Sequence, residues 1–391
     1  MDIKEEVSKI NNKLVEIREY FHKNPELSFQ EVNTSKKIAE ILRELGLDEV
    51  ETGIAKTGVV GLLRGGQPGK TFALRADMDA LPIKESSEVA YCSQNDGVMH
   101  ACGHDAHITM VLGAAMILSK MGDDLKGNVK FIFQPAEEVF GGAKIMIDEG
   151  IMEKEPKIDA IVGIHVWPGL DVGTIGVKAG PAMASADRLE IFVRAKGGHG
   201  AMPHLTADPI VASAQIINAL QTIASRSTNP LQPVVVSICH IEGGHAFNII
   251  PPEVRMEGTL RTLDDDVCTN AVEKIKSILK GVEVAMGVEC EFIYNKGGPV
   301  LVNDEGMIEL IAEAGSAILG DENVFDVEAT MGGEDFTFFA RAVSGAMFCL
   351  GVKDEDTGIT SPVHRDTFDL PKQALSIGTS VLVQSALMYL G

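Results

Sequence analysis

The stretch from Met99 to His107 reads MHACGHDAH and sets one cysteine and three histidines within eight positions. Cysteine sulfur and imidazole nitrogen are the donors that zinc and its borderline neighbours prefer, so Cys102 and His104 are candidate metal ligands. A single histidine is more often a solvated or capping residue; the clustering is what points to metal. The cluster alone leaves structural and catalytic sites both open, and a third reading makes Cys102 a covalent nucleophile with a nearby histidine as base. Further donors stand at a distance in sequence: Asp77 and Asp79 in ALRADMDALPI, Glu137 and Glu138 in FQPAEE, and His165 in GIHVWP. Adjacent carboxylates on a surface loop are ordinarily solvated charges. Beside a metal, such a pair divides naturally into one ligand and one free carboxylate for proton transfer.

The elements that would position these residues alternate. TFALRADM (71 to 78), NVKFIFQPAEE (128 to 138) and IDAIVGIHVW (158 to 167) are apolar, β-prone runs, separated by segments with helical spacing of small and apolar residues. This is the βαβ rhythm of an α/β sheet. The polar residues gather where each run stops, and the carboxyl ends of strands form the ligand crevice of open α/β sheets. The pattern changes at about residue 186. Strand, helix, two strands, helix and strand follow to about 296, the order of a ferredoxin-like split unit. The expected architecture is therefore a larger α/β domain, 1–185 plus 297–391, carrying an inserted smaller α+β domain, 186–296. At the N-terminus, Ile10, Leu14, Ile17 and Phe21 form one stripe of a surface helix.

Composition narrows the function classes. The 391 residues include 56 Asp and Glu against 34 Lys and Arg, a formal charge of -22. Such a surface repels nucleic-acid backbones and anionic membranes. No run approaches the roughly 18 uninterrupted apolar residues of a membrane span. Six cysteines at 92, 102, 239, 268, 290 and 349 are too sparse for a disulfide framework, so a reducing cytoplasm is expected.

Taken in order, ALRADMDALPI, MHACGHDAH, FQPAEE, GIHVWP, GGHGAMPH, FNIIP, MGGEDF and PVHRDTFDL resemble the motifs of the M20 metallopeptidases. The branch is that of aminoacylases, hippurate hydrolases and auxin-conjugate hydrolases, and the resemblance runs from about residue 15 to the C-terminus. It implies a hydrolytic site for two divalent ions, zinc or manganese, with cobalt or nickel as alternatives. By resemblance the ligands are Cys102, His104, Glu138, His165 and His364. Glu137 is then the general base that takes a proton from water and returns it to the leaving amine, and Asp79 orients a ligand. His100 and His107 have no ligand role in the family and are expected to be structural.

The resemblance also assigns roles in the inserted domain, expected to serve as lid and dimerisation domain. His199 of GGHGAMPH would stabilise the oxyanion, often across a subunit boundary, in a homodimer or dimer-based oligomer. Asn248, Arg261, Gly332 and Gly333 are the expected substrate contacts. Two departures stand out. The His-x-Asp of other branches is replaced by Asp77-Met78-Asp79, which leaves the bridging group open, and Ser344 stands where a proline is usual. The implied activity is hydrolysis of the amide of small N-acyl-L-amino acids. The alternatives are deacetylation of N-acetyl-diaminopimelate, a dipeptidase, or a metal-binding relative without catalysis.

Overall fold

The computed structural model describes residues 2–391, apart from the side chain of Asp123. The chain divides into two compact units, one formed by the residues through Gly180 with Val302–Glu328 and Asp335–Gly391, the other by Pro181–Leu301 with Ala329–Glu334.

The larger unit is built on an eight-stranded sheet. Its order is Glu49–Ile54, Gly58–Arg64, Lys126–Gln134, Gln67–Asp77, Ala160–Asp171, Ser344–Lys353, Ile175–Val177 and Val324–Asp326. The four central strands, Lys126–Gln134, Gln67–Asp77, Ala160–Asp171 and Ser344–Lys353, run parallel, so their carboxyl ends share one edge. They read as continuous apolar runs because both faces are covered, as parallel sheets require. Helix His104–Leu118 is buried along its whole length. It packs on the sheet and against helices Asn11–Lys23 and Gln373–Leu390. Among the described residues, Gln373–Leu390 is the one helix long and apolar enough by composition to cross a membrane, and 61% of it is buried inside this unit.

Two details differ from the sequence-based expectation. Strand Ala160–Asp171 does not stop near Trp167; strand Ser344–Lys353 pairs with it through that residue and on to Asp171. Its ladder partner comes from the far end of the chain, which a local reading does not see. The N-terminal stripe is also wider than expected, because Arg18 and His22 are buried beside Leu14, Ile17 and Phe21.

The smaller unit has strands Ala186–Arg194, Val234–Glu242, Glu253–Thr262 and Glu289–Gly298, with helices Pro209–Thr222 and Asp265–Met286. The sheet is antiparallel, ordered Val234–Glu242, Glu253–Thr262, Ala186–Arg194, Glu289–Gly298. Leu189, Ile191 and Val193 alternate inward against Ile216, Leu220, Ile275 and Leu279 of the helices. Asp208 and Asp264 cap the two helices by accepting from backbone N–H groups of the first turn. The unit begins at Pro181 and takes in Ala329–Glu334, so Gly332 and Gly333 lie in it and not in the larger unit. The cause is backbone pairing: Ala184 N–H donates to the Thr330 and Gly332 carbonyls at 3.1 and 2.8 Å, and Thr330 N–H to that of Ala182 at 3.0 Å.

Candidate metal centre

Each donor is delivered by a turn that the local sequence dictates. Strand Lys126–Gln134 ends at Pro135, and Ala136 takes a left-handed φ of 55° that turns Glu137 and Glu138 off the strand direction. Buried Glu31 secures this turn by accepting Ala136 N–H at 2.9 Å and the Thr57 hydroxyl at 2.7 Å. A Cβ at Gly142 would lie 1.6 Å from the Pro135 carbonyl oxygen, so the loop closes this tightly only with glycine there. Asp79, just beyond strand Gln67–Asp77, accepts Glu137 N–H at 3.0 Å and Glu138 N–H at 3.1 Å, and the Ser28 hydroxyl at 2.6 Å. His104 opens its helix after Gly103, whose φ is 82° and whose added Cβ would lie 2.5 Å from a Val166 methyl. His364, at φ 63°, is held by its N–H donating to the Ala101 carbonyl at 2.7 Å.

The structure brings the five expected ligands and Glu137 together within the larger unit. Their ligating atoms form overlapping groups: Cys102, His104 and His165; Cys102, Glu138 and His364; His104, Glu137 and Glu138, each within 4.8 Å of one another. Cys102 Sγ is 3.5 Å from His165 Nε2, and Glu138 Oε1 is 3.4 Å from His364 Nε2 and 3.8 Å from His104 Nε2. His165 Nδ1 lies 2.7 Å from the Val166 carbonyl, which can only accept. That contact fixes the proton on Nδ1 and leaves the Nε2 lone pair facing Cys102. Hydrogen bonding to Cys102 and Glu138 pushes the His364 pKa up to about 10.

A divalent ion fits this donor set. His104 Nε2 is buried with no hydrogen-bond partner and faces Glu138 Oε1 at 3.8 Å, while its Nδ1 has Asp79 Oδ1 at 3.4 Å. An unpaired buried polar group costs about 1–3 kcal/mol, more if charged, and several electron-pair donors converging on one point are best satisfied by a shared cation. One sulfur, three imidazoles and a carboxylate are too many donors for one tetrahedral ion and suit two, with Cys102 common to two of the groups.

His107 is engaged otherwise. Its Nδ1 is 2.6 Å from Asp77 Oδ1 and its Nε2 accepts Val166 N–H at 2.9 Å, so neither nitrogen has a lone pair to offer. Burial, outweighing Asp77, lowers its pKa to about 4. His100 is buried too, with neither ring nitrogen bonded, and burial lowers it to about 4. Sequence reasoning passed over the scaffold behind the ligands. Arg75 Nη1 donates to Asp77 Oδ2 at 2.8 Å and its Nη2 to Asp335 Oδ1 at 3.1 Å, while Asp335 also accepts from Gln134 and Ala143 N–H. The available signal was a fully charged side chain inside the buried run TFALRAD.

In the smaller unit His199 is exposed, and its Nδ1 accepts Ala201 N–H at 3.0 Å. The neutral ring therefore carries its proton on Nε2, as a hydrogen-bond donor. Strand Gly198–His199 pairs with Ile249–Ile250, which sets the exposed Asn248 beside Gly200, whose N–H donates to the Asn248 carbonyl at 2.8 Å. Arg261 donates Nε–H to the Thr259 hydroxyl at 3.1 Å, and burial, partly opposed by Asp187, lowers its pKa. At exposed Gly332 an added Cβ meets nothing closer than 3.6 Å, so packing within this unit does not demand glycine there.

Comparison with known proteins agrees with this arrangement. The family model described as peptidase family M20/M25/M40 matches residues 73–388. A protein named thermostable carboxypeptidase 2, from Saccharolobus solfataricus, is 42% identical over 96% of this chain and 95% of its own. A Bacillus subtilis protein named N-acetylcysteine deacetylase is 39% identical over 97% of both chains. The N-acyl-L-amino acid amidohydrolase of Geobacillus stearothermophilus is 43% identical over 78% of this chain and 82% of its own. Among solved structures, a Bacillus subtilis protein described as a dinuclear metal binding peptidase superposes with a TM-score of 0.85 at 36% identity, covering 98% of this chain and 99% of the other. With motifs in order along the sequence, their donors gathered at one sheet edge and relatives matched over nearly full length, the chain belongs to peptidase family M20/M25/M40.

Proposed function

We propose that the protein is a metal-dependent amidohydrolase that cleaves N-acyl-L-amino acids into a carboxylic acid and a free amino acid. The observation that carries this reading is the convergence of Cys102, His104, Glu138, His165 and His364 with one additional carboxylate, Glu137, on the same turn. The first five would hold two divalent ions, zinc or manganese, with Cys102 the candidate shared donor. Bound there, the ions would supply Lewis acidity to the amide carbonyl and to water. Glu137 is the proton carrier: its carboxylate takes a proton from the attacking water and delivers it to the departing nitrogen. Asp79 accepts the backbone N–H groups of both Glu137 and Glu138 and so holds the turn that carries the two carboxylates.

The smaller unit acts in this reading as a ferredoxin-like lid and dimerisation domain inserted into the catalytic one. His199, with its Nε2 donor, stabilises the oxyanion. Arg261, Asn248 and the segment with Gly332 and Gly333 contact the substrate. The working form is a cytoplasmic homodimer. Relatives named N-acetylcysteine deacetylase and N-acyl-L-amino acid amidohydrolase support the substrate class.

A relative named thermostable carboxypeptidase 2 favours a second reading, in which the scissile amide belongs to a short peptide. One experiment separates them. Chelated enzyme is reloaded singly with zinc, manganese, cobalt or nickel and offered acetyl-, benzoyl- and longer-chain acyl amino acids beside dipeptides. Faster turnover of acyl amino acids is expected; preference for dipeptides establishes the second reading, and no hydrolysis with any metal sinks both.

A further inference from the structure

Three of the donors stand on, or at the end of, segments with little regular structure of their own. His364 lies in the connection between strand Ser344–Lys353 and helix Gln373–Leu390, and Cys102 and His104 end the long passage that follows strand Gln67–Asp77. The two segments come from opposite ends of the sequence, so something must set the distance between them. A backbone bond from His364 N–H to the Ala101 carbonyl does part of this.

Ser86 adds a second tie, its N–H donating to the Asp366 carbonyl at 2.9 Å, and a third comes from Arg18, a 2% exposed guanidinium on helix Asn11–Lys23. Its Nε lies 2.8 Å from Asp105 Oδ2, and Asp105 is the residue next to His104. Its Nη1 lies 2.8 Å from Asp369 Oδ1, on the segment that carries His364. Both carboxylates have further holds: Asp105 Oδ2 is 2.7 Å from His22 Nδ1, and Asp369 Oδ2 accepts the Tyr91 hydroxyl at 2.7 Å. The Tyr91 ring stacks against the guanidinium, 5.1 Å from its carbon. A planar guanidinium presents its donors in a fixed fork, so two carboxylates bound to its different nitrogens are held at a set separation. A buried charge cluster that served only cohesion would not need its two arms to end on the two ligand-bearing segments.

We propose that Arg18 is a positioning residue that spans Asp105 and Asp369 and thereby sets the spacing between His104 and His364. The inference rests on the reading of those histidines as metal ligands. Arg18 touches no reacting atom; its effect is on the strength with which the donors hold an ion together.

The test compares the metal-free full chain with Arg18→Lys, which keeps the charge and loses the fork, and Asp369→Asn, which weakens one arm at a side chain only 15% exposed. Asp187→Asn is the control, since it breaks a buried cluster with Cys268 and Tyr294 in the smaller unit. Zinc and cobalt affinities are measured by competition with a chromophoric chelator, and melting of each metal-free variant is recorded alongside. Loss of a group that orients a ligand costs roughly 10- to 100-fold in metal affinity. Weakening in that range is expected for Arg18→Lys and Asp369→Asn, and none for Asp187→Asn even if it melts lower. Wild-type affinity in both test variants, or equal weakening in the control, overturns the inference. A wild-type chain that takes up neither metal overturns the metal reading as well, whereas uptake with unchanged variants overturns this inference alone.

Discussion

Glu137 and Glu138 differ by one position, and the proposed function gives them different work. Glu138 Oε1 lies 3.8 Å from His104 Nε2 and 3.4 Å from His364 Nε2, and Glu137, on the same turn, is the proton carrier of the proposed function. Glu137→Gln is therefore expected to retain bound metal and to lose about 10² to 10⁴ in turnover, the usual worth of general acid–base catalysis. Metal analysis and kinetics on one sample decide this, and near-normal activity would remove Glu137 from its role. Cys102 and His104 were legible as candidate ligands from residue type and close spacing, whereas Glu138, His165 and His364 entered as ligands only through the resemblance to the M20 metallopeptidases. Among the residues behind them, Arg75 alone carries a local signal, a charge inside an apolar run, whereas nothing in the neighbouring residues marks Arg18, Glu31 or Asp335 as buried.

His22 shows how such buried charge answers to pH. Burial disfavours its charged form and Arg18 opposes it, but Asp105 and Glu85 together outweigh both and the pKa is raised. These groups and the Tyr91 ring surround it. A raised histidine contributes stability that is complete below the unfolded value of about 6.5 and is lost as pH rises through the folded value. In the metal-free protein, the melting-temperature gap between wild type and His22→Gln should thus narrow as pH increases above that range. A gap that widens with pH contradicts the assignment.

At the scale of elements, what was legible followed local rules and what was missed followed distant pairing. The parallel strands announced themselves as apolar runs with polar ends, and the order of strands and helices in the smaller unit was readable from hydrophobic periodicity. The extension of strand Ala160–Asp171 was not, because its ladder partner lies at Ser344–Lys353. Close helix packing was also invisible. A Cβ at Gly378 of helix Gln373–Leu390 would meet Met110 Sδ at 2.0 Å and the Ile164 and Leu350 methyls at 2.9 and 3.0 Å. Gly378→Ala is expected to destabilise, since overpacking costs about 1–3 kcal/mol and exceeds the roughly 1 kcal/mol that alanine gains in an open helix. A denaturant midpoint at or above wild type would show that the two helices can separate without cost.

For the whole molecule, the proposed division of labour makes a demand on assembly. The metal donors all belong to the larger unit and His199 to the smaller one. If each site borrows His199 from a partner subunit, His199→Ala and Glu137→Gln chains, each inactive alone, should regain activity when refolded together, because one hybrid site has every group. Demonstrable heterodimers without recovery would confine His199 to its own chain or remove it from catalysis. Removing the metal, in contrast, should abolish activity and leave the fold. The larger unit has an extensive core around helix His104–Leu118, so the ions are not required for folding as in a zinc finger. Circular dichroism after dialysis against a chelator tests this, and global unfolding would make the centre structural.

The donors are unequally sheltered: the His104 side chain is 0% exposed and His364 is 53% exposed. The first opens a helix buried along its whole length, and the second has about half of its side chain open to solvent. Ions coordinated through these two histidines should therefore leave on separate clocks. Mixed with excess chelator, the loaded protein is expected to release metal in two kinetic phases, and His364→Asn, which tolerates the same left-handed backbone, should accelerate the fast phase alone. A single phase, equally affected by that substitution, would mean that one opening event frees both ions.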